Sequence, residues 1–437
     1  MPSSPRRPAA SLFAERAALL GLIALLSSCA SAPAREEPES PPACGSKASL
    51  LSRLRLSDAR DAAERCGDLR TGAEIRLLLG DAPGAERAFA KLLKSDPSDA
   101  KTSYGMALAV RERPETALLY ADRAAAAEKI PGRRAAAFSL AAGIKLDLGD
   151  RAGAQTSYLA ALAADENDLD SLDGLTRLSK DASYAARAER AAAAQPFWLR
   201  PPAFRLVARL WSALGDDARA AAAFRRAVDA DPDDLAALEA LVELKHARPA
   251  TVPAWTSAPA SPPLAEPSEA DATRALASDP ENLDALRRLT ELARARRDAA
   301  AAAAFAERLQ EAAWDAPLWS QEAAFRVAGR LWIELGDLDR ASHSLHPARE
   351  FQARCVETIR LETITLRRTG GFTAFDGSLA WAHLAVARAY AELGNGAGAR
   401  QSYEAAEAVL NDGLKSAPRN ALALKILGEI ATEKSRL

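Results

Sequence analysis

The sequence predicts an all-α chain built as a solenoid of antiparallel helix pairs, and three observations carry that expectation. Its composition favours helix, a two-residue mark recurs between apolar stretches, and one block repeats 121 positions later. Of the 437 residues 49% are hydrophobic but only 5% aromatic, so the apolar content is mostly small and aliphatic. Alanine loses the least entropy on entering a helix, and runs such as 300–304 consist of it entirely. A net charge of -2 excludes a globally basic nucleic-acid binder, and four scattered cysteines cannot staple a mini-protein. The length leaves room for more than one domain with a sizeable core.

Arg6, Arg7 and Arg16 precede an apolar run from Ala17 to Leu26, the charged and hydrophobic regions of a secretory signal. The run is too short to span a bilayer comfortably. Leu26-Ser27-Ser28-Cys29 follows, and it resembles the bacterial lipobox. The resemblance implies that the Cys29 thiol takes a diacylglycerol, that cleavage falls just before it, and that the new amino terminus is acylated. Several acyl chains suffice for stable anchoring, so the expected attachment to the membrane is tethering through lipid. By resemblance to Gram-negative lipoproteins, Ala30 after the cysteine favours sorting to the outer membrane, and the expected orientation is towards the periplasm. Residues 30–45 carry Pro33, Pro38, Pro41 and Pro42 among Glu36, Glu37 and Glu39, a composition that reads as an extended tether. In an oxidising compartment Cys44 and Cys66 either pair across one short helix or stay as small buried hydrophobes, with Cys355 left over.

The body reads as a repeat. Gly80-Asp81, Gly149-Asp150, Gly215-Asp216, Gly336-Asp337 and Gly394-Asn395 each follow an apolar stretch. Glycine ends one helix in the left-handed conformation and the short polar residue caps the next. A small residue comes five positions after each glycine: Ala85, Ala154, Ala220, Ala341 and Ala399. A large one comes four positions later: Phe89, Tyr158, Phe224, Leu345 and Tyr403. Asp96-Pro97, Asp231-Pro232 and Asp279-Pro280 end further helices, because proline cannot continue them.

This spacing resembles the tetratricopeptide repeat family, whose unit is a helix, a turn and a second helix. Its clearest copy runs from Pro201 to Asp234 through Phe204, Val207, Ala208, Trp211, Ala220, Phe224, Ala227 and Pro232. Phe325, Ala328, Gly329, Trp332, Ala341 and Ala348 repeat it, and weaker units fall near 98–131, 167–196 and 281–317. The resemblance implies a right-handed superhelix whose first helices line a concave groove. Expected segments are a signal peptide over 1–28, a tether over 29–45, a repeat block over 46–248, a proline-rich loop or hinge over 249–267, and a second block with a capping helix over 268–437. Between Arg349 and Ser378 a helix is expected to outlast the consensus before Gly370-Gly371 breaks the phase. Pro196, Trp198, Phe204, Arg205, Arg209 and Trp211 recur as Pro317, Trp319, Phe325, Arg326, Arg330 and Trp332, which points to duplication of a multi-repeat block.

No residue pattern calls for catalysis or a cofactor. His343 and His346 lie near each other on an expected helix, but Pro347 falls beside them and no second ligand pair accompanies them. Gly394, Gly396 and Gly398 lack a preceding strand and a Walker lysine, so they read as an interhelix turn. Arg294, Arg296 and Arg297 form too short a basic cluster for nucleic acid.

Applying the family's frame to the concave face selects Arg205 and Arg209, their duplicates Arg326 and Arg330, and Arg388, with Arg70 in the first repeat. Each pair is spaced i, i+4 and lies on one helix face. An arginine fork grips a carboxylate with two hydrogen bonds, so the ladder would take an acidic segment or chain terminus of a protein or peptide partner. The alternative is that these arginines pair with acids such as Glu334 and Glu392 and only solubilise the groove. Trp211 and Trp332 read as core; Trp198 and Trp319, just before the helices, read as core or as exposed anchors. The expected function is a non-enzymatic, lipid-anchored scaffold binding segments of cell-envelope proteins and assisting assembly of an outer-membrane or secretion complex. An envelope enzyme subunit and a carrier of a small anionic ligand are the rivals.

Overall fold

The computed structural model describes Lys47, Leu50, Leu51 and residues 56–249, 252, 255, 266–369 and 377–437. Among these residues there are twenty-one α-helices and no strand. The signal segment 1–28, Cys29, the tether 29–45 and most of segment 249–267 lie outside the described residues. No described helix is long and apolar enough to cross a membrane.

The helices fall into two compact units, Met1–Glu166 and Asn167–Leu437. The first holds α1 Leu56–Arg65, α2 Leu69–Leu78, α3 Ala82–Ser95, α4 Ala100–Ala109, α5 Pro114–Ala127, α6 Pro131–Asp147 and α7 Arg151–Ala164. The second begins with α8 Leu169–Ser179, α9 Ala182–Ala194, a 3-10 turn at Phe197–Leu199, α10 Arg200–Ala213, α11 Asp217–Ala230 and α12 Leu235–Ala247. It continues through α13 Glu269–Ser278, α14 Leu283–Ala295, α15 Ala299–Asp315, α16 Leu318–Leu335 and α17 Leu338–Phe351. α18 Val356–Arg368, α19 Ser378–Leu393, α20 Gly396–Ser416 and α21 Ala421–Lys434 complete it. Each unit is a solenoid in which successive helices pack as antiparallel pairs, the helix–turn–helix repeat that the resemblance implies.

The turn chemistry explains the pairing. Gly80, Gly149, Gly215, Gly336 and Gly394 all sit at positive φ, between 77° and 83°. The next residue closes the first helix with a backbone bond five residues back, as in Asp150 N to Lys145 O at 2.8 Å and Asn395 N to Tyr390 O at 2.8 Å. Its side chain then caps the second helix: Asp150 accepts from Gly153 N at 2.8 Å and Asp216 from Arg219 N at 3.0 Å. At the other type of turn, a C-terminal Asp or Ala is followed three residues later by an Asp or Asn at the start of the next helix. Asp96 and Asp99, Asp165 and Asp168, Asp231 and Asp234, Asp279 and Asn282, and Ala417 and Asn420 follow this rule.

Packing follows the small-then-large pattern. Ala85, Ala154, Ala220, Ala341 and Ala399 have no exposed surface, which lets paired helices approach, while Phe89, Tyr158, Phe224, Leu345 and Tyr403 are buried beside them. Each such large side chain contributes about 1.5–3 kcal/mol by leaving water. In the first unit the closest approach is at Gly105, where an added Cβ would stand 2.5 Å from the Phe89 ring. In the second, Gly329 faces Leu345 the same way at 2.6 Å. Trp211 and Trp332 are core residues at 2% and 1% exposure. The guanidinium groups of Arg219 and Arg340 cover them, 4.5 Å and 4.6 Å from the ring centroids.

Two features depart from the expectation. The overlong helix after Arg349 is absent: α17 stops at Phe351, a turn spans Gln352–Cys355, and α18 starts afresh. The reason is that the Gln352 and Cys355 backbones make the same three-residue turn as Asp231 and Asp234, with Cys355 N donating to Gln352 O at 3.1 Å. Trp198 is no exposed anchor; it is buried, and its indole N–H donates to Asp284 at 3.0 Å. Cys66 is disulfide-bonded to a partner outside the described residues, and Cys355 is free and buried.

Candidate functional site

The second unit is where its duplicated copies meet. α10 packs against α16, and α12 against α19, although neither pair is adjacent in sequence. This brings the arginine positions into view of acids from distant turns, and most of them are already engaged. Arg205 donates to Asp234 at 2.5 Å and to Gln352 at 3.1 Å, with Asp234 fully buried. Burial opposes the Arg205 charge, but Asp234 and then Glu322 outweigh it and hold its pKa above the ordinary arginine value. Arg326 donates to the buried Glu322 at 3.0 Å, and Thr358 donates to the same oxygen at 3.3 Å. Again burial is opposed by nearby carboxylates, Glu322 foremost, and the pKa is raised.

Arg330 reaches Glu291 at 3.3 Å, and Glu291 is shared with Arg287, a buried arginine also bound to Asp284 and Glu266. Arg388 is chelated by Glu433, at 2.7 Å to 3.2 Å, and touches Glu429 at 3.3 Å. Those bonds raise the Arg388 pKa and lower that of Glu433. Arg209 alone of the five makes no hydrogen bond or ion pair among the described residues. Desolvation within the unit, followed by the neighbouring charge of Arg205, lowers its pKa. Arg70, in the first unit, is ion-paired with Asp99. Cys29 lies outside the described residues.

A cleft of about 900 Å³ opens between α12, the α17–α18 turn and α19. Its apolar lining includes Val242, Ile359, Trp381, Ala385 and Ala389, and Trp381 is 41% exposed. Charged groups of both signs stand around it. Arg354 pairs with Glu239 at 2.5 Å, Arg349 with Glu362 at 2.8 Å, and Arg388 with its two glutamates. Among the described residues the Glu392 carboxylate meets the exposed imidazole of His246, while Lys245 donates to the Glu392 backbone carbonyl. Glu243, exposed on α12, has no hydrogen bond or ion pair among the described residues. The cleft is open to solvent and sets one exposed aromatic among charged side chains of both signs.

The arginine reading reached Arg388 at the cleft's edge and missed Trp381. Counting back along α19 in the family's frame places Trp381 at its second, concave position, so the signal was present. Glu243 and Glu392 carried no signal, because exposed helix glutamates are ordinary until tertiary structure brings them to one cleft. His346 meets Glu350 at 3.2 Å and His343 Nδ1 bonds to the Asp339 carbonyl at 2.7 Å, and among the described residues no cluster of three or more His, Cys, Asp or Glu is arranged to hold a metal ion.

No protein-family model and no curated protein matches the sequence. Among solved structures the chain resembles MamA, at 17% identity and a TM-score of 0.29 over 37% of this chain and 88% of that one. It also resembles YrrB, described as a TPR protein with an unusual peptide-binding site, at 18% identity and a TM-score of 0.29 over 43% of this chain and 97% of that one. A third is the C-terminal part of a TPR repeat-containing protein from Cytophaga hutchinsonii, at 14% identity and a TM-score of 0.32 over 66% and 97% of the two chains.

Proposed function

We propose that this protein is a non-enzymatic adaptor of the tetratricopeptide type that holds a peptide segment of a cell-envelope partner in the cleft of its second unit. The observation that carries this reading is the cleft of about 900 Å³ with the half-exposed Trp381 in its lining. A large aromatic left 41% exposed between helices offers apolar surface to bury on binding, which is the usual anchor of a protein interface. In this reading the segment around Leu26-Ser27-Ser28-Cys29 supplies a lipid on Cys29 and tethers the chain to the outer membrane on its periplasmic side, leaving the repeats free to engage assembly or secretion components.

Two experiments test the two halves. A photo-crosslinking amino acid placed at Ala385 in native cells should give a discrete adduct that Trp381→Ala abolishes, and the same group at the exposed Leu119 of the first unit should not. Adducts from Leu119 with none from Ala385 would reject the cleft. Metabolic labelling with an alkyne fatty acid should mark the wild type and not Cys29→Ser, and the variant should leave the membrane fraction. Label retained by Cys29→Ser would reject the anchor.

A further inference from the structure

We propose that the cleft of the second unit selects a basic, apolar segment, one that lays an aliphatic or aromatic side chain on Trp381 and presents Lys or Arg to Glu243 and Glu392; the inference rests on the peptide-adaptor reading above. The sequence frame pointed the other way, to an acidic partner held by arginines. The structure reverses the sign because it shows which charges are already spent within the chain.

Every arginine lining the cleft has a carboxylate of its own: Arg349 has Glu362, Arg354 has Glu239, and Arg388 has both Glu433 and Glu429. To accept an acidic ligand, each would first release that partner. Arg388 is more than neutralised, with two glutamates on one guanidinium, and one of them, Glu433, also accepts from Tyr403 at 2.8 Å. The groups without an Arg or Lys partner are acids. Glu243 has no hydrogen bond or ion pair among the described residues, and among those residues the Glu392 carboxylate is met by the His246 imidazole and by no Lys or Arg. The nearby Lys245 is directed at the Glu392 carbonyl and not at its carboxylate. These two acids, on α12 and α19, line the same cleft as Trp381.

A cationic side chain fits that combination in two ways. Its alkyl stem lies along apolar surface while the charged end stays polar, and the face of an indole attracts a cation directly. An acidic side chain in the same place meets the carboxylates of Glu243 and Glu392, neither of which has an Arg or Lys partner among the described residues. The contrast in sign therefore acts on specificity more than on total affinity, as charge around an apolar anchor generally does.

The test is selection of a phage-displayed random 12-residue peptide library on the full-length chain in detergent, with Trp381→Ala as the counter-selection. The expected result is enrichment of Lys or Arg beside aliphatic or aromatic residues. In fluorescence anisotropy the enriched peptide should bind the double variant Glu243→Gln/Glu392→Gln about three- to tenfold more weakly, and should weaken similarly as salt is raised. Both positions are exposed, and unchanged circular dichroism of the variant confirms that its fold is kept. Enrichment of acidic or uncharged peptides that still depend on Trp381, or an affinity indifferent to the two glutamines, overturns the basic-segment inference and leaves the adaptor reading standing. Failure to enrich any sequence over Trp381→Ala overturns both.

Discussion

At the scale of single residues, the second unit is governed by where buried charges find partners. Arg205 and Asp234 stand 29 positions apart, as do Arg70 and Asp99 in the first unit, and in both cases the arginine of one first helix binds the acid at the start of the next. The same interval from Arg326 arrives at Cys355, so the acid is missing and Arg326 turns to Glu322 on its own helix. Burial, with Glu322 adding to it, pushes the Cys355 thiol up to about 12 and keeps it protonated. Removing one member of a buried pair strands the other. Arg205→Ala is expected to cost about 3 kcal/mol in chemical denaturation, against less than about 1 kcal/mol for Arg354→Ala, whose pair with Glu239 is exposed.

Asp231 gives the residue-scale pH prediction. Burial, reinforced by Asp234 and Asp233 and opposed by Arg326, raises its pKa from 3.8 to about 6. The folded chain therefore holds a proton that the unfolded chain has released between these two values. The Asp231 contribution is present at the acid end and is lost as pH rises through about 6. Asp231→Asn removes that loss while keeping the oxygen that accepts from Asp233 N at 3.1 Å. Thermal melts should show the variant more stable than wild type at pH 7.5, by on the order of 2 kcal/mol, with the difference shrinking towards pH 4.5.

At the scale of elements, the turn between paired helices requires one left-handed residue followed by a capping side chain. Two turns meet this requirement without glycine: Lys180 at φ 59° before Asp181, and Arg297 at φ 62° before Asp298. Both aspartates cap as the others do, accepting from Ser183 N at 2.8 Å and Ala301 N at 3.0 Å. A side chain in this conformation costs about 1–2 kcal/mol relative to glycine, offset in part by glycine's greater freedom in the unfolded chain. Lys180→Gly and Arg297→Gly are each expected to raise the unfolding free energy by about 0.5–1 kcal/mol, and Gly149→Ala to lower it by at least about 1 kcal/mol. Equal stability for all three would show that the turns are not set by the left-handed residue.

At the scale of the whole molecule, the notable feature of the second unit is that it closes on itself. Tyr390 on α19 donates to the carbonyl of Pro232 at 2.8 Å, and Trp255 packs edge-on against the Tyr390 ring with centroids 5.5 Å apart. The Trp255 ring is covered in turn by Arg225 at 4.9 Å, so this aromatic of the proline-rich segment docks on the solenoid itself. Solenoid repeats ordinarily draw stability from nearest neighbours alone, whereas these contacts join helices about 150 positions apart. Trp255→Ala combined with Tyr390→Phe should therefore raise amide hydrogen exchange in α12 and α19 together, at positions distant in sequence. An increase confined to one of them would show that the contacts do not couple the copies.

The sequence by itself determined the helix pairs. Gly-Asp turns, the Asp-Pro endings and the small-large spacing are local requirements, satisfied by residues within a few positions of one another, and the helices follow from them. Where the local rule was met by a different residue, at Lys180, Arg297 and Cys355, the pattern weakened although the turn persisted. The duplication was legible for the same reason, since it preserves local spacing. Only the tertiary structure decided the state of the charges. Whether Arg205 grips a partner or its own Asp234 depends on which groups the stacking brings within about 3 Å, and electrostatic commitment is set by distance and burial, which sequence spacing does not encode across 30 to 150 positions. The cleft, the exposed Trp381 in its lining and the two glutamates without an Arg or Lys partner among the described residues arise at that level, because they are defined by what the rest of the chain leaves uncovered.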